Sequence, residues 1–306
     1  METTIEVHGL RKRFGSVIAV DGVDLNVAEG EIYGFLGLNG AGKTTTIRLL
    51  LGMIRPTGGY VDLLGQRVGP GGKGPWSRVG HMVESAVAYQ ELTVLENLVL
   101  AAKLQNIAGM NDVRRVLRQL GLSELSNRKA GYLSLGNLQR LGLARALLHS
   151  PRIVILDEPV NGLDPAGVAE IRTLLASLAR EQGVTILMSS HNLPEVDRLA
   201  TRIGIIHKGK LIEELDAESM EGLRARRLTI QVRDRKAGET DLRDAGYLVE
   251  EDPQLDRLRL FEPRVLEAPD EIARLLTLSG NPPMHLSVDQ EALEEHFLRL
   301  TGGGGG

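Results

Sequence analysis

Eight residues near the N-terminus have the composition and spacing of a phosphate-binding loop. They read Gly37-Leu38-Asn39-Gly40-Ala41-Gly42-Lys43-Thr44, a G-x-x-x-x-G-K-T sequence. Glycines let successive backbone N–H groups curl around a polyphosphate without Cβ clashes. In such a loop the Lys43 ammonium reaches the β- and γ-phosphates, and the Thr44 hydroxyl ligates Mg²⁺. The pattern predicts a nucleoside triphosphate site, which Thr45 completes at the start of the next helix.

A second group of chemical residues ends an apolar run later in the chain. Residues 153–156 read Ile-Val-Ile-Leu and are followed by Asp157 and Glu158. An aspartate at the tip of a strand beside a phosphate loop is placed to hold Mg²⁺, directly or through water. The glutamate that follows is a candidate general base for water attacking the γ-phosphate.

Three further segments add polar groups around this pair. Residues 133–140 read Leu-Ser-Leu-Gly-Asn-Leu-Gln-Arg, so Ser134 and Gly136 open a helix whose N-terminus can bind a second anion. Ser134 could also be simply an N-cap, and the two roles are compatible. Asp164 follows the acidic strand, and His191 follows the apolar run 184–188. A surface histidine at a strand end is the alternative for His191.

Apolar runs alternating with helical patterns position these groups. This alternation up to about residue 215 predicts an α/β fold, a P-loop core with a mostly parallel sheet and helices on both faces. Buried strands are expected at 31–36, 153–156, 184–188 and 203–207. Helices are expected at 44–51, 94–104, 113–119, 138–148, 167–182 and 193–199. An antiparallel β-subdomain is expected from strands at 5–10, 19–27 and 60–64, and the loop 69–75 reads as a surface spacer.

The composition changes near residues 220–227, which divides the chain into domains at 1–218 and 219–301. The second domain reads as a small α+β unit in which no motif carries chemistry. Its expected strands lie at 227–234, 247–251 and 257–261. Its expected helices lie at 269–278 and 289–300. The tail 302–306 is five glycines and is expected to be flexible.

Bulk composition excludes several classes of function. The chain of 306 residues has no cysteine, which excludes disulfides and thiolate metal sites and fits a cytosolic compartment. Its net charge is −4 and no long basic run occurs, so no nucleic acid partner is expected. The N-terminus lacks a secretory signal, and the apolar runs are too short to span a bilayer. Action on a membrane therefore requires a partner protein.

Residues 5–215 carry all these motifs, and the motifs follow one another in the order found in ABC transporters. In the identity and order of its motifs the chain resembles the ATP-binding subunit of an ABC transporter. The resemblance implies that two copies, expected to be identical, pair head to tail around two ATP molecules. It implies that Ser134, Gly136 and Asn137 bind the γ-phosphate held by the facing copy. It also implies that Asp164 communicates between the two sites, and that His191 bonds the γ-phosphate and positions the base.

The same resemblance assigns an adenine contact and a partner surface. Phe14 matches the aromatic that stacks on adenine, for which a flat π-face suffices, although Phe14 could also be a core residue. Segment 85–93 matches the surface that receives a separate transmembrane permease. The protein would then lie at the cytoplasmic face of the membrane, bound through that permease.

Two residues depart from the usual pattern of the family. Glu84 stands where a glutamine commonly contacts Mg²⁺ and the attacking water, and a carboxylate ligates Mg²⁺ more strongly than an amide. The signature reads Leu-Ser-Leu-Gly-Asn, with Asn137 shorter than the usual glutamine. Both features resemble exporters of peptide antibiotics, of the bacitracin and lantibiotic type, and residues 293–302 resemble the tail of drug-exporter ATPases.

Other classes remain as alternatives. Soluble ABC ATPases of translation typically carry two cassettes in one chain, and those of DNA repair split the cassette with a long coiled coil; neither feature is visible here. A P-loop kinase or GTPase has no place for the signature or for His191. Within transport an importer remains open, and the C-terminal domain favours export.

Overall fold

A six-stranded sheet lies at the centre of the first half of the computed structural model. From edge to edge its strands are β10 (Lys210–Asp216), β9 (Arg202–His207), β3 (Ile32–Leu36), β8 (Thr185–Ser190), β7 (Ile153–Asp157) and β6 (Val79–Met82). Strands β9, β3, β8, β7 and β6 pair in parallel, and β10 runs antiparallel to β9. Every residue of β3, β7 and β8 is buried, which explains why these strands read as continuous apolar runs.

The carboxyl ends of three neighbouring strands carry the chemical residues. Strands β3, β8 and β7 are adjacent and parallel, so they end at the same edge of the sheet. The phosphate loop follows β3, Glu158 follows β7 and His191 follows β8. Ligands of open parallel sheets bind in the crevice outside these ends. The topology therefore gathers residues that lie more than a hundred positions apart in the chain.

The predicted antiparallel subdomain is confirmed. Its four strands pair in the order β2-β1-β4-β5, with all pairs antiparallel. The strands are β1 (Thr3–Phe14), β2 (Val17–Ala28), β4 (Gly58–Leu63) and β5 (Gln66–Arg67). Within the predicted surface loop, Gly69 and Lys73 form an isolated antiparallel bridge.

In the described residues of this first half, six α-helices accompany these sheets, and their ends follow from the local sequence. They are α1 (Lys43–Leu50), α2 (Val94–Leu104), α3 (Met110–Gln119), α4 (Leu135–Leu147), α5 (Pro165–Gln182) and α6 (Leu193–Asp197). Thr93 and Glu96 form a reciprocal capping box at the start of α2. Asp164 caps α5 before a proline, and Gly183 ends it in a left-handed conformation. Helices α2, α3 and α4 pack against one another.

The structure describes residues 2–69, 73–83, 88–107, 109–216, 226–252, 256–290, 297–298 and 300–301. Contacts divide the chain into two compact units, Met1–Ala217 and Glu218–Gly306. Short 3₁₀ helices lie at Trp76–Arg78, Ser123–Leu125 and Ala130–Tyr132. In the parts of the chain just given, no helix combines the length and hydropathy that crossing a lipid bilayer requires. The predicted glycine tail 302–306 lies outside the described residues.

The second unit is a small α+β fold with its own core. Its sheet has the order β12-β13-β11-β14, and its strands are β11 (Arg226–Gln231), β12 (Glu250–Asp252), β13 (Arg257–Leu260) and β14 (His285–Gln290). Its helices are α7 (Arg235–Asp244), α8 (Pro263–Glu267) and α9 (Pro269–Leu278). With helices between β11 and β12 and between β13 and β14, this is a split βαβ arrangement.

Two predictions for the second unit are wrong in detail, and one of its helices was not predicted. Residues 289 and 290 belong to β14, so the predicted helix 289–300 is wrong at its start; residues 291–296 lie outside the described part. The segment His285–Gln290 pairs with β11 along its whole length, which outweighs its weak local preference. Helix α7 was not predicted, because Leu242 is its one large buried apolar side chain. Residues 247–249 precede β12 rather than forming part of it.

Candidate active site

The phosphate loop joins β3 to α1 in a conformation that its glycines permit. Gly42 is the N-cap of α1 and has a φ of 111°. A Cβ atom at this position would lie 2.6 Å from the carbonyl oxygen of Ala19 on β2. Only glycine tolerates both this backbone angle and this close approach. The loop is therefore fixed between β3 and the β-subdomain, with the N-terminus of α1 directed into it.

Lys43, the first residue of α1, is buried beside the carboxylate of Glu158. Its side chain is 7% exposed, and its Nζ donates a hydrogen bond to the carbonyl oxygen of Gly37 at 2.7 Å. The same Nζ lies 3.5 Å from Oε1 of Glu158. Burying an ammonium group is costly unless it is paired and hydrogen-bonded, and here both conditions are met. The structure thus brings together two residues predicted from separate motifs.

His191 contacts the other oxygen of the same carboxylate. Its Nδ1 lies 2.8 Å from Oε2 of Glu158, so Lys43 and His191 hold the two carboxylate oxygens separately. The His191 side chain is half exposed, whereas that of Glu158 is 23% exposed. A carboxylate fixed in this way is suited to orient a water molecule or to accept its proton. The structure thus brings His191 and Glu158 into direct contact, and the role of His191 in positioning the base stays a prediction.

Asp157 and Glu158 share a buried serine that the sequence analysis did not single out. Ser189 lies directly opposite Asp157 in the parallel register of β7 and β8. Its Oγ donates to Oδ1 of Asp157 at 2.5 Å and accepts from the backbone N–H of Glu158 at 3.1 Å. Ser189 is completely buried. Its position two residues before His191, at a strand end, was the available signal.

Glu158 has a second unpredicted neighbour on α4. The side-chain amide of Gln139 donates to the carbonyl oxygen of Glu158 at 2.9 Å. Gln139 is buried at 5% exposure, although it lies only five residues after Ser134. Glu158 itself has a φ of 51°, a left-handed conformation that is uncommon for a residue other than glycine. The backbone of Glu158 is therefore held from both sides.

Glu195 on α6 lies close enough to this cluster to interact with it electrostatically. One of its carboxylate oxygens is buried without a hydrogen-bond partner. Burial raises the pKa of Glu195; the charges of His191 and Arg172 oppose this rise, and the charge of Glu158 adds to it. Glu195 was not predicted, and its sequence context gives no distinctive signal.

The signature residues open α4 as predicted for a helix N-terminus. Ser134 is the N-cap, and its Oγ accepts from the backbone N–H of Asn137 at 3.3 Å. Gly136 lies against Leu163, in the segment that leads to Asp164. Asp164 caps α5 by accepting from the N–H of Gly167 at 3.0 Å. The contacts of these residues with a facing copy stay a prediction.

The predicted adenine contact lies on the hairpin that borders the phosphate loop. Phe14 is the last residue of β1, pairs with Val17 and is 50% exposed. The Lys12 ammonium lies 4.8 Å from the centre of its ring. Phe14 is therefore not a core residue, and its adenine role stays a prediction. Glu84, the predicted replacement for glutamine, lies outside the described residues.

Comparison with known proteins places this geometry in a family. Residues 20–161 match the sequence profile described as ABC transporter. The bacitracin transport ATP-binding protein BcrA of Bacillus licheniformis is 40% identical over 99% of this chain and 99% of its own length. The chain belongs to the ATP-binding proteins of the ABC transporter family. As a member of this family it binds ATP and is an ATPase.

Two further similarities agree with this assignment. The lantibiotic transport ATP-binding protein SrtF of Streptococcus pyogenes is 34% identical, over 72% of this chain and 93% of its own length. A solved dimeric ATP-binding cassette in a post-hydrolysis state, bound to ADP and phosphate, superposes with a TM-score of 0.64 at 25% identity. It covers 70% of this chain and 98% of the cassette. The α/β fold is confirmed, and the kinase, GTPase, translation and DNA-repair alternatives are not favoured.

Proposed function

We propose that this ABC ATPase drives a separate membrane permease that exports a peptide antibiotic or a related drug. The observation that carries the proposal is the match to the bacitracin transport protein over nearly the whole of both chains, second unit included. The two departures at Glu84 and in the signature point to the same exporter class. The protein would be held at the cytoplasmic face of the membrane by its permease.

The proposed working unit is a head-to-tail pair of copies. Each ATP would lie between the phosphate loop of one copy and Ser134, Gly136 and Asn137 of the other. Asp164 would carry information between the two sites, and Phe14 would stack on adenine. Closure of the pair on ATP would be the power step, and hydrolysis would let it reopen.

Mg²⁺ is the metal that these residues suit. Thr44, in the first turn of α1, offers a hydroxyl, and Asp157 offers a carboxylate oriented by Ser189. Mg²⁺ in nucleotide sites is bound by one or two such oxygens together with phosphates and water. When bound, the metal would neutralise charge on the phosphates. Glu84 is the further proposed ligand.

Glu158 is the proposed base, and the contacts of its carboxylate suggest when it acts. A phosphate group that reaches Lys43 competes with Glu158 for the same ammonium, because the two now lie 3.5 Å apart. Arrival of the γ-phosphate would therefore release one carboxylate oxygen toward water. His191 would keep the other oxygen in place at 2.8 Å and would itself bond the γ-phosphate.

The permease would dock beside the segment that leads into α2. Asn97 holds this segment, since its side chain exchanges hydrogen bonds of 2.9 and 3.0 Å with the backbone of Tyr89. Tyr89 is 59% exposed. A cavity of about 460 Å³ lies against the C-terminal end of α2, with Met53, Trp76 and Leu104 among its lining residues. An apolar permease segment would fit this cavity.

Replacing Glu158 tests the proposed chemistry. Glu158→Gln should still bind ATP and should stall as a closed dimer on size-exclusion chromatography. Its turnover should fall by roughly 10²- to 10⁴-fold, the usual contribution of a general base. Glu181→Gln, an exposed change at the end of α5, is the control. Unchanged turnover in Glu158→Gln would contradict the assignment of Glu158 as the general base.

Detergent extraction from native membranes, followed by mass spectrometry, tests the transport role. We expect a polytopic membrane protein to co-purify with the tagged chain. Ribosomal or DNA-repair proteins without any membrane protein would instead support the soluble class of ABC ATPases.

A further inference from the structure

The backbone of Glu158 needs external support to keep its left-handed conformation. Its φ is 51°, a left-handed conformation that is unfavourable for a residue with a Cβ atom. Its N–H group donates to Ser189 on β8. Its carbonyl oxygen accepts from the N–H of Asn161 at 3.2 Å and from the side chain of Gln139 at 2.9 Å. Gln139 belongs to α4, an element outside both the acidic strand and its loop.

Helix α4 also touches the residues that follow Glu158. Leu135 and Gln139 are four positions apart and so lie on one face of the helix. A Cβ atom at Gly162 would lie 2.4 Å from Cδ2 of Leu135, which shows that Leu135 packs directly on that glycine. Gly162 has a φ of 79° and no side chain to hinder this contact. The segment 158–162 is therefore attached to α4 at both ends.

Ser134 is the N-cap of the same helix, so the contact between α4 and the segment 158–162 connects Ser134 with Glu158. We propose that Gln139 is a positioning residue that fastens the helix opened by Ser134 to the backbone of Glu158. This inference rests on the proposed function, in which Ser134 binds the γ-phosphate of the facing copy and Glu158 is the base. Engagement of one site at Ser134 then sets the orientation of the base of the other site.

Buried glutamines can also serve only to satisfy a carbonyl group, so the two roles must be separated by experiment. Here the carbonyl of Glu158 keeps the bond from Asn161 when Gln139 is replaced, and the loss in stability is therefore modest. The positioning role instead predicts a change in the chemical step. It also predicts that this change depends on the carboxylate of Glu158.

Gln139→Met is the first variant, because methionine matches glutamine in length and shape but has no donor. The control is Leu141→Met, a fully buried change on the same helix. We expect kcat of Gln139→Met to fall about tenfold or more, with KM for ATP changed by less than about twofold. A kcat equal to that of the Leu141→Met control would overturn the proposal.

A double variant shows whether Gln139 acts through the base. In the Glu158→Gln background the addition of Gln139→Met should leave the residual turnover unchanged, because the group that it positions is already lost. A further drop of about tenfold would overturn the positioning role. The single variants keep the two hypotheses apart. If Glu158→Gln retains full turnover, the proposed base is wrong; if only Gln139→Met retains it, the positioning proposal is wrong.

Gln139→Glu provides an independent variant if methionine destabilises the helix. An ionised glutamate cannot donate a hydrogen bond, whereas a protonated one can. Burial raises the pKa of a carboxyl group, which favours the protonated, hydrogen-bond-donating form of this glutamate as pH is lowered. The kcat of this variant, divided by that of the wild type, should rise several-fold as pH is lowered across the range in which the wild type remains active. A flat ratio over this range would contradict the proposal.

Discussion

Ser189→Ala should be unusually destabilising for the removal of one hydroxyl group. The Ser189 hydroxyl is completely buried and makes two hydrogen bonds, one of them to the Asp157 carboxylate. A bond to a charged group contributes about 1.5–3 kcal/mol and a neutral bond about 1 kcal/mol. The weaker bond from the Glu158 N–H to the Ser189 carbonyl, at 3.3 Å, remains. We expect a loss of about 3 kcal/mol in the free energy of unfolding.

The next residue offers a matched control. Ser190 is also buried, at 1% exposure, and its Oγ forms its two hydrogen bonds with the backbone of Asn192, within the same turn. It accepts from the N–H of Asn192 at 2.9 Å and donates to the Asn192 carbonyl at 3.4 Å. Both bonds are neutral and the second is long. Ser190→Ala should therefore cost about 1 kcal/mol.

The Tm of both variants can be measured by thermal unfolding, with tryptophan fluorescence as the signal for the unit that contains the two serines. Trp76 is the single tryptophan of the chain and belongs to the unit Met1–Ala217. For a unit of this size each kcal/mol shifts the Tm by roughly 2–4 °C. We expect shifts of roughly 6–12 °C for Ser189→Ala and roughly 2–4 °C for Ser190→Ala. A Ser189→Ala protein as stable as Ser190→Ala would refute the bridging role.

Three more perturbations follow from particular contacts. Gly42→Ala should weaken binding of a fluorescent ATP analogue by about tenfold or more, because the added Cβ atom would meet a carbonyl oxygen of β2. Gly183→Ala is the control, because Gly183 also has a positive φ but has open space around it. Equal affinity of the two variants for the analogue would contradict the argument. Tyr33 donates to Glu214 at 2.8 Å, and burial raises its phenol pKa. Because the unfolded chain ionises first, stability is lost as pH rises past about 10, and Tm measured against pH should fall less steeply in Tyr33→Phe. Burial lowers the pKa of His149, so the stability that its neutral imidazole contributes to the folded state is lost as pH falls below about 6.5. His149→Gln should therefore make Tm fall less steeply on the acid side of the same curve.

The sequence predicted the central elements well because their patterns are local and strong. Helix α2 begins and ends where its periodicity and capping box require. The failures have the opposite character. Strand β14 depends on pairing with β11, and helix α7 has too few apolar residues to show a period. Both are specified by contacts between segments that are distant in the chain.

The same distinction applies to the candidate site. Lys43, Glu158 and His191 were predicted because their side chains do chemistry in recognisable surroundings. Ser189 and Gln139 were missed, although both lie inside runs that carry other predicted residues. Each forms a hydrogen bond with a backbone group of Glu158. Because every residue has these backbone groups, the sequence does not indicate which of them needs a side-chain partner. Such supporting contacts become visible only when strand register and helix face are known.

The separate cores of the two units have a consequence for synthesis on the ribosome. All strand partners of the large sheet and of the β-subdomain lie between residues 3 and 216. The second unit builds its core from Leu228 onward. Since domains fold in order as they emerge, the ATP-binding unit can complete its last sheet edge, β10, while the second unit is still being translated. A stop codon placed after β10 should therefore leave the fold of the ATP-binding unit intact. A stop codon placed before β10 should instead expose the edge of β9 and favour aggregation.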